Sequence, residues 1–288
     1  MHPKKFILKS IATAFVGGSA LISSFSSQAG VIISFPNFAG ACGGALTCVG
    51  NATDVGNVLR VTPAALGQSG AGYSPTAVQL GAGATFSTNF QFQFTNAGGI
   101  DPADGITFVL AQNATGLGVG GGGIGYQGVP NSVAIEFDTF DNGEPGRSNH
   151  VGVDRNGVLD DTPSASPYGV SICGFGGGLG CMSNGDIWSV LIGYDGINLT
   201  VSAQDGANAV QNLINTPIDI AGLLGQTTAF VGFTSATGAG FENHDILNWQ
   251  LANDISLVHP VPEPVTTSLL GVGLVGLGFV GRRRARAS

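Results

Sequence analysis

The chain has 288 residues, of which only about a tenth are charged, with 10 Lys and Arg against 18 Asp and Glu. Seven of the cations lie at the two ends, so residues 30–258 hold Arg60, Arg147 and Arg155 against 17 acidic side chains, all but Glu263, a formal charge of −14. Such a body repels polyphosphate, which excludes nucleic-acid binding by phosphate neutralisation and leaves divalent cations and neutral ligands open. The 48 glycines are interleaved with short runs of Val, Ile, Phe and Thr, the pattern of many strands joined by tight turns. A body of this length suits one large all-β domain.

Residues 1–29 read as a secretory signal peptide. Lys4, Lys5 and Lys9 precede the apolar run IATAFVGGSALISSF, and Ser27-Gln28-Ala29 supplies small residues for cleavage after Ala29. A transmembrane anchor is the alternative, disfavoured by Gly17 and Gly18 inside the run. In an exported chain the four cysteines form two local pairs, Cys42 with Cys48 and Cys173 with Cys181, for which disulfides are the simplest reading. A four-thiolate metal site is the rival, although the spacing is not Cys-x-x-Cys.

Strand-like runs follow at 31–35, 57–62, 85–96, 105–111, 132–140, 150–157, 187–196, 197–204, 229–238 and 245–251. In FSTNFQFQF the residues Phe90, Phe92 and Phe94 share one face and Gln91 and Gln93 the other, as in a strand with one buried side. Tyr194-Asp195-Gly196 marks a hairpin turn. No segment of the body sustains helical periodicity, so a two-sheet antiparallel β-sandwich is expected, with Trp188 and Trp249 in its core.

Residues 133–157, VAIEFDTFDNGEPGRSNHVGVDRNG, carry the densest chemistry. On an extended strand Glu136 and Asp138 point to the same side, about 6.6 Å apart. Carboxylates set among Val, Ala, Ile and Phe are costly to bury without a cation or donors. The following loop can fold Asn142 and Glu144 back toward them, and His150 opens the next strand. Oxygen ligands suit Ca²⁺, and an imidazole beside carboxylates suits a transition metal such as Mn²⁺. His244 and Asp245 read as structural residues at the start of a strand.

This stretch resembles the metal-binding loop of the legume-type (L-type) lectins. Further similarities occur in the order found in that family. Ala103-Asp104-Gly105-Ile106-Thr107-Phe108 is similar to its Ala-Asp-Gly strand start, and Gly121-Gly122-Gly123-Ile124-Gly125 to its Gly-Gly-x-Leu-Gly loop. Residues 231–238 and 244–251 are similar to its closing strands. The resemblance implies a concanavalin-like antiparallel β-sandwich of the jelly-roll type, carbohydrate binding without catalysis, and Ca²⁺, alone or with Mn²⁺. It implies that Asp104, after a cis peptide, accepts hydrogen bonds from sugar hydroxyls and that a backbone N–H of Gly122 donates to the sugar. Asn142 would serve both Ca²⁺ and sugar, Phe140 would offer its carbonyl to Ca²⁺ and its ring to the sugar, and Gly238 and Ala239 would tune specificity. The metal ligands would be Glu136, Asp138, Phe140, Asn142, Glu144 and His150. The loop before His150 is shorter than in the plant members, and Glu144 stands where they commonly have Asp, with Asp141 as rival ligand.

The same sandwich class includes retaining glycoside hydrolases with a Glu-x-Asp-x-Glu strand, which need two carboxyl groups about 5–5.5 Å apart. Here the third position is Phe140, so the catalytic partner is missing. A structural matrix protein with vestigial sugar binding is the remaining alternative.

The tail at 259–288 places Val261-Pro262-Glu263-Pro264 before an uncharged run, Val265 to Val280, and then Arg282, Arg283, Arg284 and Arg286. As a helix the run spans about 24 Å, slightly short of a bilayer core of about 30 Å. This tripartite arrangement resembles the PEP-CTERM sorting signal of Gram-negative bacteria. The resemblance implies transient membrane contact, processing by an exosortase-type protease, and delivery to the cell surface or an extracellular matrix where glycans or exopolysaccharide are the partners. A plain membrane anchor is the alternative.

Overall fold

A computed structural model describes residues 30–80, 83–143, 149–159, 169–171 and 181–260. The signal-like leader, Glu144, Cys173 and the tripartite tail lie outside the described residues. Among those described, sixteen strands follow in chain order. They are β1 (Val31–Phe35), β2 (Thr47–Gly50), β3 (Thr53–Val55), β4 (Val58–Thr62), β5 (Ser69–Tyr73), β6 (Val78–Gln79), β7 (Phe86–Gly99) and β8 (Gly105–Ala111). After a single 3₁₀ turn at Gly121–Gly123 come β9 (Ser132–Asp138), β10 (His150–Arg155), β11 (Gly169–Ser171), β12 (Trp188–Tyr194), β13 (Asn198–Asp205) and β14 (Gln211–Pro217). A short helix, α1 (Ile220–Leu224), precedes β15 (Thr228–Ala236) and β16 (Gly240–Ala252).

These strands form two antiparallel sheets. The back sheet runs β14-β13-β12-β7-β16-β4-β3, with β1 also on β16, and the front sheet runs β11-β10-β9-β8-β15-β5-β2, with β6 on β15. The chain is a concanavalin-like β-sandwich. Alternation explains the core: Phe90, Phe92 and Phe94 of β7 are fully buried against Phe108, Phe137 and Phe233 of the front sheet, while Gln91 and Gln93 face outward. Edge-to-face contacts, such as Phe90 on Phe233 at 5.0 Å, suit the ring quadrupoles. Trp188 and Trp249 lie in this core, and Trp249 Nε1 donates to Thr88 Oγ1 at 2.9 Å.

The front sheet is buried on both faces because the connection between β8 and β9 folds over its outer side. Tyr126 and Val129 from that connection pack with Ala71, Tyr73, Val109, Ala111 and Ala134. Burial pushes the Tyr73 hydroxyl well above its ordinary pKa, and this hydroxyl donates to the Gly116 carbonyl at 2.6 Å. These anchors bring the glycine-rich turn to the end of the sheet where β8 begins and β9 stops.

On the back sheet's outer face, residues 253–259 form a strap across β7 and β13. Ser87 Oγ donates to the Asp254 carbonyl at 2.6 Å, Asn89 Nδ2 to the Val258 carbonyl at 2.7 Å, and His259 Nε2 lies 2.8 Å from Ser202 Oγ. Burial lowers the His259 pKa from its ordinary value. Cys42 and Cys48 are joined in a disulfide, as expected from their spacing. Cys181 is also disulfide-bonded, and its expected partner Cys173 lies outside the described residues.

Candidate functional site

Strand register assembles the site at one end of the front sheet. Asp138, the last residue of β9, sits opposite Gly105 at the start of β8 and opposite His150 at the start of β10. Glu136 is one rung inward, opposite Thr107 and Gly152. Period-two alternation places Glu136 and Asp138 together on the face away from the Phe core, and both are buried, as is His150. Ligand atoms of Glu136, Asp138 and His150 lie within 4.8 Å of one another, and His150 Nε2 is 2.9 Å from Glu136 Oε1.

Two carboxylates and an imidazole, all withdrawn from water, form a donor set suited to a divalent cation with mixed oxygen and nitrogen preference. Phe140 and Asn142 follow on the loop leaving β9. Phe140 is half-buried and its N–H donates to Asp138 Oδ1 at 2.7 Å, which ties the loop's first turn to the carboxylate. Asp141 is exposed and accepts the Gly143 N–H at 2.8 Å, so its side chain is engaged by its own turn.

The second half of the site comes from three other segments. Asp104 is almost fully buried, and the Ala103–Asp104 peptide is cis. Gly105 has φ +127°, and a Cβ there would strike the Phe137 carbonyl, so only glycine can follow Asp104 at this crossing. The Gly121–Gly123 turn and Gly238, just after β15, close around it. A Cβ on Gly238 would lie 3.5 Å from Asp104 Oδ2 and 3.5 Å from Gly121 Cα. A Cβ on Gly122 would lie 2.5 Å from Asn142 Nδ2. Asp104, Gly121, Gly122, Gly238 and Asn142 therefore converge, with Ala239 exposed at the rim.

Gly122→Ala follows as a test. The colliding atoms are the end of an exposed side chain, so the fold should keep its melting temperature within a few degrees while Asn142 is displaced. Affinity for the carbohydrate that the family resemblance implies should fall by about threefold to tenfold, the value of one hydrogen bond. Isothermal titration beside thermal denaturation checks this, and an unchanged affinity would remove Asn142 from the site.

Residues 32–262 match the Legume lectin domain family. The chain belongs to that family. Its curated relatives include seed lectins and, in Arabidopsis thaliana, receptor kinases that contain an L-type lectin domain. The chain is 27% identical over 231 residues to the lectin alpha chain of Lablab purpureus, covering 72% of this chain and 76% of that one. It is 29% identical over 184 residues to the seed lectin of Styphnolobium japonicum, covering 60% of this chain and spanning 58% of that lectin's length. Among solved structures, the basic winged bean lectin with Tn-antigen superposes with a TM-score of 0.61 at 27% identity, covering 72% of this chain and 92% of that one.

Against this family frame, one expectation from sequence is corrected. His244 and Asp245 are not at the start of a strand: they lie inside β16, paired with Thr62 and Arg60 of β4. Asp245 forms a two-pronged ion pair with Arg60 at 2.7 and 2.8 Å, which raises the Arg60 pKa through the hydrogen bond and charge of Asp245. His244 contacts the backbone beside Asp104. Sequence reading missed this contact and the 3.1 Å hydrogen bond from Thr139 Oγ1 to Glu242 Oε1, because strand alternation reports burial and not which loop a buried polar group will reach.

Proposed function

We infer that the protein binds a carbohydrate in a shallow, cation-supported site at the end of the front sheet. The observation that carries the reading is the convergence of Asp104, the Gly121–Gly123 turn, Gly238 and Asn142 at the sheet end where Gly105 pairs with Asp138, which clusters with Glu136 and His150. Asp104 would accept from two sugar hydroxyls, a Gly122 N–H and the Asn142 amide would donate, and the Phe140 ring would cover the apolar sugar face. Ca²⁺ would be held by Asp138, Asn142, Glu144 and the Phe140 carbonyl, and Mn²⁺ by Glu136, Asp138, Glu144 and His150. A bound cation would supply fixed positive charge that keeps the Asn142 loop folded toward Asp104. Gly238 and Ala239 would set which saccharide fits.

The leader and tail support export, with an exosortase-type protease processing the tail and a cell-surface or matrix polysaccharide as the ligand. The test is a printed panel of galactosides, N-acetylgalactosaminides, glucosides, mannosides and Tn-antigen, probed with the full exported chain in Ca²⁺ and in EDTA. Binding to at least one member, lost in EDTA, is expected. A chain stabilised by Ca²⁺ that binds none of them would be a structural protein, and release of reducing sugar from a glucan would mark a hydrolase.

A further inference from the structure

All four backbone hydrogen-bonding groups of the Asp104–Gly105 pair are tied to neighbouring segments. The Asp104 N–H donates to the Ala236 carbonyl at 3.1 Å, and the Asp104 carbonyl accepts the Thr139 N–H at 3.0 Å. The Gly105 N–H donates to His244 Nε2 at 3.2 Å, and the Gly105 carbonyl accepts from Ser235 Oγ at 2.7 Å. A His244 Nε2 that accepts leaves the ring hydrogen on Nδ1, which lies 2.7 Å from Thr62 Oγ1. Thr62 Oγ1 is in turn 2.8 Å from Ser235 Oγ. One imidazole thus holds both sides of Gly105, its N–H directly and its carbonyl through two hydroxyls, in a fully buried ring of hydrogen bonds.

Glu242 completes the brace from the same strand. It has no solvent exposure, and its Oε1 accepts from Thr139 Oγ1 at 3.1 Å and from Ser183 Oγ at 2.9 Å. Thr139 is the residue whose N–H holds the Asp104 carbonyl and whose chain neighbours are Asp138 and Phe140. Ser183 belongs to the loop whose Met182 N–H donates to Asn149 Oδ1, next to His150. Two side chains of β16 therefore reach both halves of the site, although neither lies among the converging residues.

We propose that His244 and Glu242 are positioning residues for glycan binding, acting through the Asp104–Gly105 backbone and Thr139. The proposal rests on the carbohydrate reading above. Its test exploits side-chain length. In His244→Gln the amide oxygen reaches the position of Nε2 and can still accept the Gly105 N–H. In His244→Phe the ring still packs edge-on against Phe94, as His244 does at 4.8 Å, but every polar contact is gone.

Affinity for the best-bound member of the saccharide panel should fall at least about tenfold in His244→Phe and less than about threefold in His244→Gln. Ca²⁺ affinity, read by titration, should stay close to that of the parent chain in both. If His244→Phe does not fold, Ser235→Ala, which removes the donor to the Gly105 carbonyl and its link to Thr62 but leaves the His244 contact to the Gly105 N–H, should weaken glycan binding by about threefold to tenfold. Parent-level glycan affinity in His244→Phe, or in a folded Ser235→Ala, would overturn the positioning role while leaving the lectin reading intact. A parent chain that binds no saccharide on the panel would overturn both.

Discussion

Asp104→Ala should cost at least about 100-fold in glycan affinity, the largest single loss among site variants, while leaving the sandwich folded. The carboxylate is almost fully buried at the floor of the convergence and lies beside Gly238, which in turn faces Gly121. Hydrogen bonds from sugar hydroxyls to an ionised acceptor are each worth about 1.5–3 kcal/mol, so two of them account for two or more orders of magnitude. The four backbone ties of Asp104 and Gly105 use no atom of the Asp104 side chain, so the truncated residue should keep its position. Titration calorimetry with the best-bound saccharide, beside circular dichroism of both proteins, reads the two quantities separately. Full affinity in a folded Asp104→Ala would place the sugar somewhere other than this end of the front sheet.

Chelation should lower the melting temperature by roughly 5–10 °C. An ion at about 100 times its dissociation constant stabilises a native-only site by about 2.7 kcal/mol, and each kcal/mol moves the midpoint by about 2–4 °C in a domain of this size. The physical source is the cluster of Glu136, Asp138 and His150, where burial of two carboxylates favours the state with a cation among them. Scanning calorimetry in EDTA, then after return of Ca²⁺ or Mn²⁺ singly, also separates the ions: one that restores the midpoint alone identifies the dominant site. A curve indifferent to EDTA would remove the cation from the account and with it the explanation of how the Asn142 loop is held.

Much of the fold was legible because its strands alternate cleanly. The β7 pattern states its faces outright, and β8 spans the stretch read from sequence although both of its faces are buried. The strands that escaped notice have weak local signals. In β5, Ser-Gly-Ala-Gly-Tyr carries little β-propensity; the Val61 carbonyl leaves no room for a Cβ at Gly70, and the Leu59 side chain crowds Gly72. In β14, Gln-Asn-Leu-Ile-Asn-Thr-Pro is a polar sheet edge that reads as loop.

The site divides in the same way. Glu136 and Asp138 stood out as carboxylates in apolar company, with Asn142 on the loop that follows, and the family resemblance added Asp104 and Gly122. His244 and Glu242 did not stand out, since what they do depends on β16 passing behind both the Asp104 turn and Thr139. No spacing along the chain encodes that adjacency.

The strap across the back sheet has a consequence for how the molecule is presented. β16 starts beside the Asp104 turn and ends at Ala252, twelve residues after Gly240, which at about 3.3 Å per residue carries the chain roughly 40 Å to the opposite pole. There Asn253 and Gly30 are joined by two hydrogen bonds, of 2.8 and 3.2 Å. Entry into the sandwich and the end of β16 thus share one pole, from which the strap runs back across the sheet as far as Ser202. A tether attached ahead of Gly30 would leave the pole proposed to meet the saccharide pointing outward, like a cup held by its base.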